Sequence, residues 1–190
     1  MSDRCCMITD MGVLYDYFTA ASDEDAAATI DLRGGPGGAE PPRPGLLEAL
    51  RAGDQEAIRR LARVRMRLSE HGLHVLSVKG IDPVVQVATL EELLTGVDTE
   101  TLFARPRAAA LVAERFGGEQ LVLTLADETQ RALAEVTPQR AAEVADPWSR
   151  TEEFGGYADP EALAEVVGEL ARLARHADEQ QHRLYCWVCV

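Results

Sequence analysis

Four cysteines come closest, by type and spacing, to a metal or redox site in this chain. Cys5 and Cys6 are adjacent, and Cys186 and Cys189 have a Cys-x-x-Cys spacing within the apolar segment LYCWVCV. That composition predicts a strand, in which alternate side chains point to opposite faces, so Cys186 and Cys189 diverge. Zinc needs its sulfur ligands together, and a thioredoxin-like pair lies at a helix N-terminus. We therefore expect reduced strand thiols and no metal site.

The four histidines and the glycine-rich stretch offer no stronger chemistry. His71 and His74 flank a glycine that ends a predicted helix, while His176 and His182 lie at the polar end of the last helix and in the loop after it. Helix capping and solvated surface account for all four. The stretch GGPGG precedes prolines instead of a helix, and the chain has neither a phosphate-loop motif nor G-x-S-x-G. The sequence predicts no cofactor.

An aromatic and acidic segment is the first candidate binding site. It contains Trp148, Arg150, Glu152, Glu153 and Tyr157 in a glycine-containing connection. Loops carried by a rigid scaffold are frequent binding sites, although the aromatic residues could equally anchor the connection to the core. No candidate nucleophile or base lies nearby in the sequence, so the segment defines no reaction class.

An arginine-rich segment is the second candidate. On a helix, Arg59, Arg63 and Arg67 share one face, opposite an apolar stripe. Such a face could dock an acidic partner or ligand. Glu56 lies four residues before Arg60, which is a favourable ion-pair spacing. A solvated face balanced by local salt bridges therefore remains the alternative.

Composition excludes several classes of function. The 190 residues carry a formal net charge of -13, which argues against binding to nucleic acid or anionic membranes, since both require a cationic surface. Aromatic residues make up only 5%, too few for an extended base-stacking platform. No run approaches the roughly 18 apolar residues of a membrane span, and the N-terminus has no apolar signal region. We expect a cytoplasmic protein with reduced thiols.

The first third of the chain predicts a strand, a short helix, a loop and a long helix. Gly12–Ala21 is rich in β-branched and aromatic residues, and Ser22 resembles the N-cap of the following helix. The glycines and prolines of Arg33–Pro44 predict a flexible, exposed loop. Apolar residues at helical spacing predict a helix over Gly45–Gly72, with a break at Gly53-Asp54.

The remaining two thirds alternate between short helices and strands. LYCWVCV is apolar on both faces, which predicts a strand in the interior of a sheet. Asp146–Tyr157 is expected to be irregular. The other predicted elements are strands at His74–Val78 and Gln120–Leu125, and helices at Asp82–Gly96, Arg107–Phe116, Asp127–Val136, from Pro138, and at Glu161–Glu179.

These elements predict an α+β fold with a single domain. A mixed or antiparallel sheet should contain the N- and C-terminal strands and pack against several helices. The chain is long enough for one sizeable core and short for two.

Several segments, in this order, resemble the YfbM-like family of uncharacterised bacterial proteins. They are MGVLYDYF, GIDPVVQVATLEELLTG, LVLTLADETQRALAEV and the last helix leading into LYCWVCV. The resemblance implies a small α+β domain over residues 11–190 and an N-terminal extension over residues 1–10. It implies no catalytic residue, because the family has no established activity.

Two hypotheses for function follow. The first is a non-enzymatic accessory domain that binds another protein, for which the acidic surface favours a basic partner; toxin neutralisation is one such role. The alternative is an enzyme or small-molecule binder with a cleft around Trp148, Glu152, Glu153 and Tyr157. The oligomeric state remains open.

Overall fold

Six antiparallel strands form one sheet in the order β2-β3-β1-β6-β5-β4. The structure is a computed structural model that describes residues 13–38, 45–61, 63–155 and 158–190, with the backbone alone at positions 46, 47, 58, 59 and 61. The α+β prediction is confirmed, and the sheet is antiparallel at every pairing. The strands are β1 (Leu14–Ala20), β2 (Arg67–Leu68), β3 (His74–Lys79), β4 (Leu111–Arg115), β5 (Gln120–Thr124) and β6 (Arg183–Cys189).

The C-terminal strand β6 lies in the interior of the sheet, as its composition predicts. It pairs with β1 from Leu14↔Cys189 to Ala20↔Arg183, and with β5 from Gln120↔Cys189 to Thr124↔Tyr185. All its residues from Leu184 to Cys189 are buried. A strand that is apolar on both faces is stable only where both faces are covered, and here they are.

The described residues form eight α-helices, several of which begin at the caps that their sequences indicate. Thr137 and Asp159 cap two helices whose first residues are Pro138 and Pro160, and Ser22 caps the first helix by accepting from the Asp25 N–H. The helices are α1 (Asp23–Ala28), α2 (Leu46–Ala52), α3 (Gln55–Leu61), α4 (Gln86–Thr95), α5 (Thr99–Phe103), α6 (Asp127–Ala134), α7 (Pro138–Ser149) and α8 (Pro160–Gln180).

The sheet separates two apolar cores. Helices α4, α6, α7 and α8 cover one face, where Tyr17, Leu76 and Cys186 are fully buried against them. Helix α1 and the short 3-10 helix Thr29–Asp31 cover the other face, where Phe18 and Trp187 lie. None of the described helices is both long and apolar enough to cross a membrane.

The predicted long helix over Gly45–Gly72 is wrong beyond residue 61. The break at Gly53-Asp54 is confirmed, because Gly53 ends α2 with a left-handed backbone (φ 66°). After α3 the chain extends into β2, which pairs with β3 through Arg67↔Val75 and Leu68↔His74. Apolar residues at helical spacing therefore continue past the end of the helix, and sheet pairing decides the conformation of the segment.

The predicted helix over Arg107–Phe116 is also wrong. Residues 106–109 form a turn, and Leu111–Arg115 is the edge strand β4, which pairs with β5 across the hairpin turn at Gly117-Gly118. The two glycines do end the element as predicted, but they end a strand.

Two segments predicted to be irregular are more ordered than their sequences suggest. Residues Asp146–Ser149 continue α7, and Glu152–Phe154 forms a 3-10 helix. Within the predicted exposed loop Arg33–Pro44, Gly35, Pro36 and Gly37 are buried, so the expectation of exposure is wrong there. Glycines without side chains can approach the sheet closely, which the sequence pattern alone does not reveal.

Candidate functional site

The structure places Trp148 in the core and not in a cleft. Its side chain is fully buried, and its indole N–H donates to the carbonyl of Gln86 at 3.0 Å. Phe154 packs edge-on against it with ring centroids 5.2 Å apart. Trp148 thus joins the end of α7 to the start of α4 and to the segment that follows α7.

The charged members of the same segment lie on the surface. Arg150 donates to Asp146 one turn earlier at 2.7 Å, and Glu152 and Glu153 are exposed. The backbone N–H of Glu153 and the hydroxyl of Thr151 lower the pKa of the Glu153 carboxyl by stabilising its ionised form. Tyr157 lies outside the described residues. Neither of the pockets considered below is lined by any of these residues.

The arginine-rich segment does not form one cationic face. The side chain of Arg59 lies outside the described part of the structure. Arg63, which follows α3, pairs with Glu165 at 2.9 Å, whereas Arg67 lies in β2 and donates to the carbonyl of Gly37 at 2.6 Å. Because the helix ends at Leu61, the helical spacing of these residues does not apply.

Cys186 and Cys189 point to opposite faces of β6, as alternation predicts. Cys186 is a free thiol in the helix-covered core, and burial raises its pKa well above the usual value. Cys189 lies in the other core and is disulfide-bonded, so the expectation of a reduced thiol is wrong at this position. Its partner is not among the described residues. Within the described residues, no group of three or more His, Cys, Asp or Glu side chains could hold a metal ion.

Two histidines that the sequence did not connect are in contact. The rings of His74 in β3 and His176 in α8 have centroids 3.9 Å apart. Partial burial, and then the neighbouring His74, lower the pKa of His176. The two ring planes are tilted by 48°, and burial beside a second imidazole disfavours protonation of His176.

The larger pocket lies between α1 and the start of β4. It has a volume of about 410 Å³. Helix α1 contributes two carboxylates to it, and the exposed side chain of Leu111 stands at its rim, 56% accessible. Its lining residues are Asp23, Glu24, Ala27, Arg107, Ala110, Leu111, Val112 and Thr124.

Arg107 is the centre of the polar network in this pocket. Its guanidinium donates to both carboxylate oxygens of Asp23, at 2.7 and 2.8 Å, and lies over the Tyr185 ring, 5.5 Å from its centroid. The Tyr185 hydroxyl donates to the same carboxylate at 2.8 Å. Asp127 adds a longer contact, 3.6 Å from the Arg107 Nε atom. Arg107 is thus held by α1, β6 and α6 together.

The electrostatics of this network follow from its hydrogen bonds. Donation from Arg107, and then from Tyr185, lowers the pKa of Asp23. Burial, followed by the hydrogen bond to Asp23, raises the pKa of Tyr185 to about 12. At neutral pH, Asp23 is therefore ionised, Tyr185 is protonated, and the charges of Asp23 and Arg107 cancel.

The lining of the pocket offers charged groups that can bind a ligand. Its lining has no cysteine, serine or histidine, and the Thr124 hydroxyl is engaged with the Arg107 carbonyl and the Ala110 N–H. No ion pair joins Glu24 to another described residue, so Glu24 leaves one negative charge at the rim beside Leu111. A cation with an apolar stem complements that combination.

The sequence carried little signal for this pocket. Asp23 reads as an ordinary first-turn acid of α1, and Arg107 falls in a segment whose spacing predicts a helix. Arg107 and Ala109 instead have left-handed backbones, with φ of 67° and 49°. Residues other than glycine rarely adopt this conformation, and neither residue type indicates it.

A second, smaller cavity lies beside α4 and has a volume of about 30 Å³, enough for one water molecule. Glu91, which is 4% exposed, lines it. Its carboxylate accepts from Arg105 and, at 2.5 Å, from the Thr129 hydroxyl. Because both carboxylate oxygens of Glu91 are satisfied within the protein, we assign this buried ion pair to the fold and not to ligand binding.

Comparisons with known proteins add no further assignment. No family model, no curated protein and no solved structure matches this chain. The fold and the Arg107 pocket therefore carry the functional argument.

Proposed function

We propose that this chain is a protein-binding accessory domain whose partner inserts a basic side chain into the pocket between α1 and β4. The observation that carries the proposal is the charge distribution of this pocket. Asp23 already neutralises Arg107, which leaves Glu24, a carboxylate without an ion-pair partner among the described residues, beside the exposed Leu111. A lysine or arginine side chain supplies both the charge and the apolar stem that such a rim can contact.

The overall charge supports the same partner class. A formal net charge of -13 accelerates encounter with a basic protein and disfavours an acidic one. Neutralisation of a basic toxin is an accessory role of this kind. Membership of the YfbM-like family belongs to the proposal as well, and its support is the order of the motifs along the chain.

A cytoplasmic location is a further part of the proposal and has its own test. Structural disulfides are rare in the cytosol, so the disulfide bond that Cys189 forms in the structure should then be open in the cell. Differential alkylation of Cys189 in freshly lysed cells measures this directly. A fully oxidised Cys189 would assign the protein to an oxidising compartment.

A small-molecule amine binder is the alternative, because a volume of about 410 Å³ is within the range of ligand sites. In this alternative the ligand binds in the Arg107 pocket, and not in a cleft around Trp148. Binding of a free amine separates the two hypotheses. A small-molecule binder should bind the amine by itself, whereas a protein-binding domain should bind it only weakly.

Selection from a displayed library of 12-residue peptides tests the proposal. We expect enriched peptides to contain Lys or Arg flanked by apolar residues, and to bind a Glu24→Lys or Leu111→Ser variant about tenfold more weakly. Glu161→Lys and Leu50→Ser are the matched controls, because Glu161 is another exposed first-turn glutamate and Leu50 is another exposed leucine, 53% accessible. Enrichment of peptides without basic residues, or equal binding by Glu24→Lys, would contradict it.

A further inference from the structure

Asp16 is a buried carboxylate in the middle of strand β1. It is 1% exposed and lies on the sheet face that α1 covers, between its register partners Ser77 on β3 and Trp187 on β6. An ionisable group in such a place is unfavourable unless it is fully compensated. The groups around Asp16 therefore determine how stable its ionised form is at this position.

The Gly35–Gly37 turn forms a roof over these side chains. The Gly37 N–H donates to the Asp16 Oδ2 atom at 2.8 Å, and Arg67 donates to the Gly37 carbonyl at 2.6 Å. A Cβ atom at Gly37 would lie 2.7 Å from the Asp16 carboxylate, and one at Gly35 would lie 2.9 Å from the Trp187 ring. Only glycine permits this approach, so at Gly35 and Gly37 the turn contacts the sheet through its backbone.

The hydrogen bonds beneath the Gly35–Gly37 turn do not satisfy every buried polar atom. The Asp16 Oδ1 atom and the Trp187 Nε1 atom are both buried, and neither has a hydrogen-bond partner among the residues that the structure describes. Burial raises the pKa of Asp16, and Ser77, the Gly37 N–H and the charge of Arg67 only partly oppose that rise. The closed roof thus covers one unsatisfied acceptor and one unsatisfied donor on neighbouring strands.

We propose that the Gly35–Gly37 turn is a lid over the Asp16–Trp187 pair, and that ionisation of Asp16 opens it. The closed lid favours the protonated form of the Asp16 carboxyl. Opening of the lid exposes the ionised carboxylate and the Trp187 indole N–H to water. This switch is independent of the proposed pocket at Arg107. Opening requires no side chain of Gly35 or Gly37 to withdraw from the sheet, because these two residues contact it through their backbone.

The direction in which lid opening changes with pH follows from the linkage between closure and the ionisation of Asp16. The pKa of Asp16 is higher when the lid is closed than when the group is in water, so closure is most favourable below the ordinary value of 3.8 and weakens as pH rises through the closed-state pKa. Between the two values the opening equilibrium should rise about tenfold per pH unit.

Four other ionisable groups, Arg67, Cys186, Glu70 and His71, lie near Asp16 or the turn. Arg67, on β2, donates to the Gly37 carbonyl, and its charge opposes the rise in the pKa of Asp16. The Cys186 thiol senses Asp16 through the sheet, but burial keeps it protonated. Glu70 lies beside Gly38, and His71 Nε2 is 3.2 Å from the Arg33 carbonyl, so both act at the margin of the turn.

Quenching of Trp187 fluorescence by acrylamide between pH 4 and pH 8 tests the lid. In a Trp148→Phe background, Trp187 is the only remaining tryptophan of the two. We expect quenching to increase with pH in this protein and to stay constant in a further Asp16→Asn variant, because the amide does not ionise. Asp31→Asn is the matched control, since Asp31 is an exposed acid just before the turn, and it should keep the full pH dependence.

Hydrogen exchange of the Gly35, Gly37 and Gly38 amides provides a readout in the unmodified chain, which does not depend on the Trp148 substitution. Protection of these amides, corrected for intrinsic rates, should fall with rising pH and do so only when Asp16 is present. Protection that changes equally in the Asp16→Asn variant, or quenching of Trp187 that does not depend on pH, would overturn the proposal.

Discussion

Arg107 and Asp23, which are 84 positions apart in the chain, are joined by two hydrogen bonds from one guanidinium nitrogen. Arg115 and Asp31 have the same separation and also form two hydrogen bonds, both of 3.0 Å. The two pairs differ in burial, because the Arg107 side chain is 16% exposed and that of Arg115 is 45% exposed. Both pairs attach the α1 side of the protein to the region of β4.

This contrast gives the first prediction. Arg107→Ala should lower the free energy of unfolding by about 1–3 kcal/mol, because it removes a charge-assisted hydrogen bond and the packing of the guanidinium on Tyr185. Arg115→Ala should change it by about 0–1 kcal/mol, as expected for an exposed pair. Urea unfolding of both variants measures the difference. Equal effects would mean that burial does not distinguish the two pairs.

The buried carboxylate of Glu91 gives the second prediction. Arg105→Ala should destabilise the fold by about 3–5 kcal/mol, because it leaves an unpaired charge in the core. Adding Glu91→Gln should recover part of this loss, since the amide carries no charge and can still accept from Thr129. A double-mutant cycle measured by urea unfolding reports the coupling. Additive losses would show that the two side chains act independently.

The interior position of β6 gives the third prediction. Deletion of Tyr185–Val190 should leave an insoluble or molten chain, because each large buried side chain contributes about 1.5–3 kcal/mol and the strand pairs on both edges. Cys186→Ala should cost only about 1 kcal/mol. Circular dichroism and thermal melting separate these outcomes. A deletion variant that unfolds cooperatively would contradict a central role for the strand.

Trp148 gives the fourth prediction. Trp148→Phe should cost about 1 kcal/mol, the value of the lost hydrogen bond to the Gln86 carbonyl, whereas Trp148→Ala should cost about 3–5 kcal/mol by opening a cavity. Both variants are compared by urea unfolding, and Trp148→Phe also by binding of the selected basic peptides. We expect peptide binding to be unchanged in Trp148→Phe. Loss of binding with unchanged stability would return the candidate site to this segment.

Local sequence patterns predicted the elements whose stability depends on their own residues. Asp159 and Pro160 begin α8 at the expected position, because a cap and a first-turn proline act within a few residues. LYCWVCV was assigned to the sheet interior because its apolar residues occupy both faces. Alternation also placed Cys186 and Cys189 on opposite faces, and the structure confirms this.

Pairing with the next strand along the chain explains where the helical patterns were wrong. Leu111–Arg115 has residues that suit a helix, yet it forms β4 because β5 supplies its hydrogen bonds. Arg67 and Leu68 likewise leave the helical pattern to pair with β3. A backbone hydrogen bond to another strand contributes free energy that no local spacing contains.

The sequence by itself determined the α+β class, the acidic surface, the central C-terminal strand and several of the helix starts, all of which depend on composition or on neighbours within one turn or strand. Only the tertiary structure decided that Asp23 meets Arg107, that Asp16 is buried and that glycines cover it. The physical reason is that burial and charge compensation are properties of positions brought together from distant parts of the chain. A carboxylate on an exposed helix and one beneath a glycine turn have the same letter in the sequence, and only the atoms around them make one a solvated charge and the other a switch.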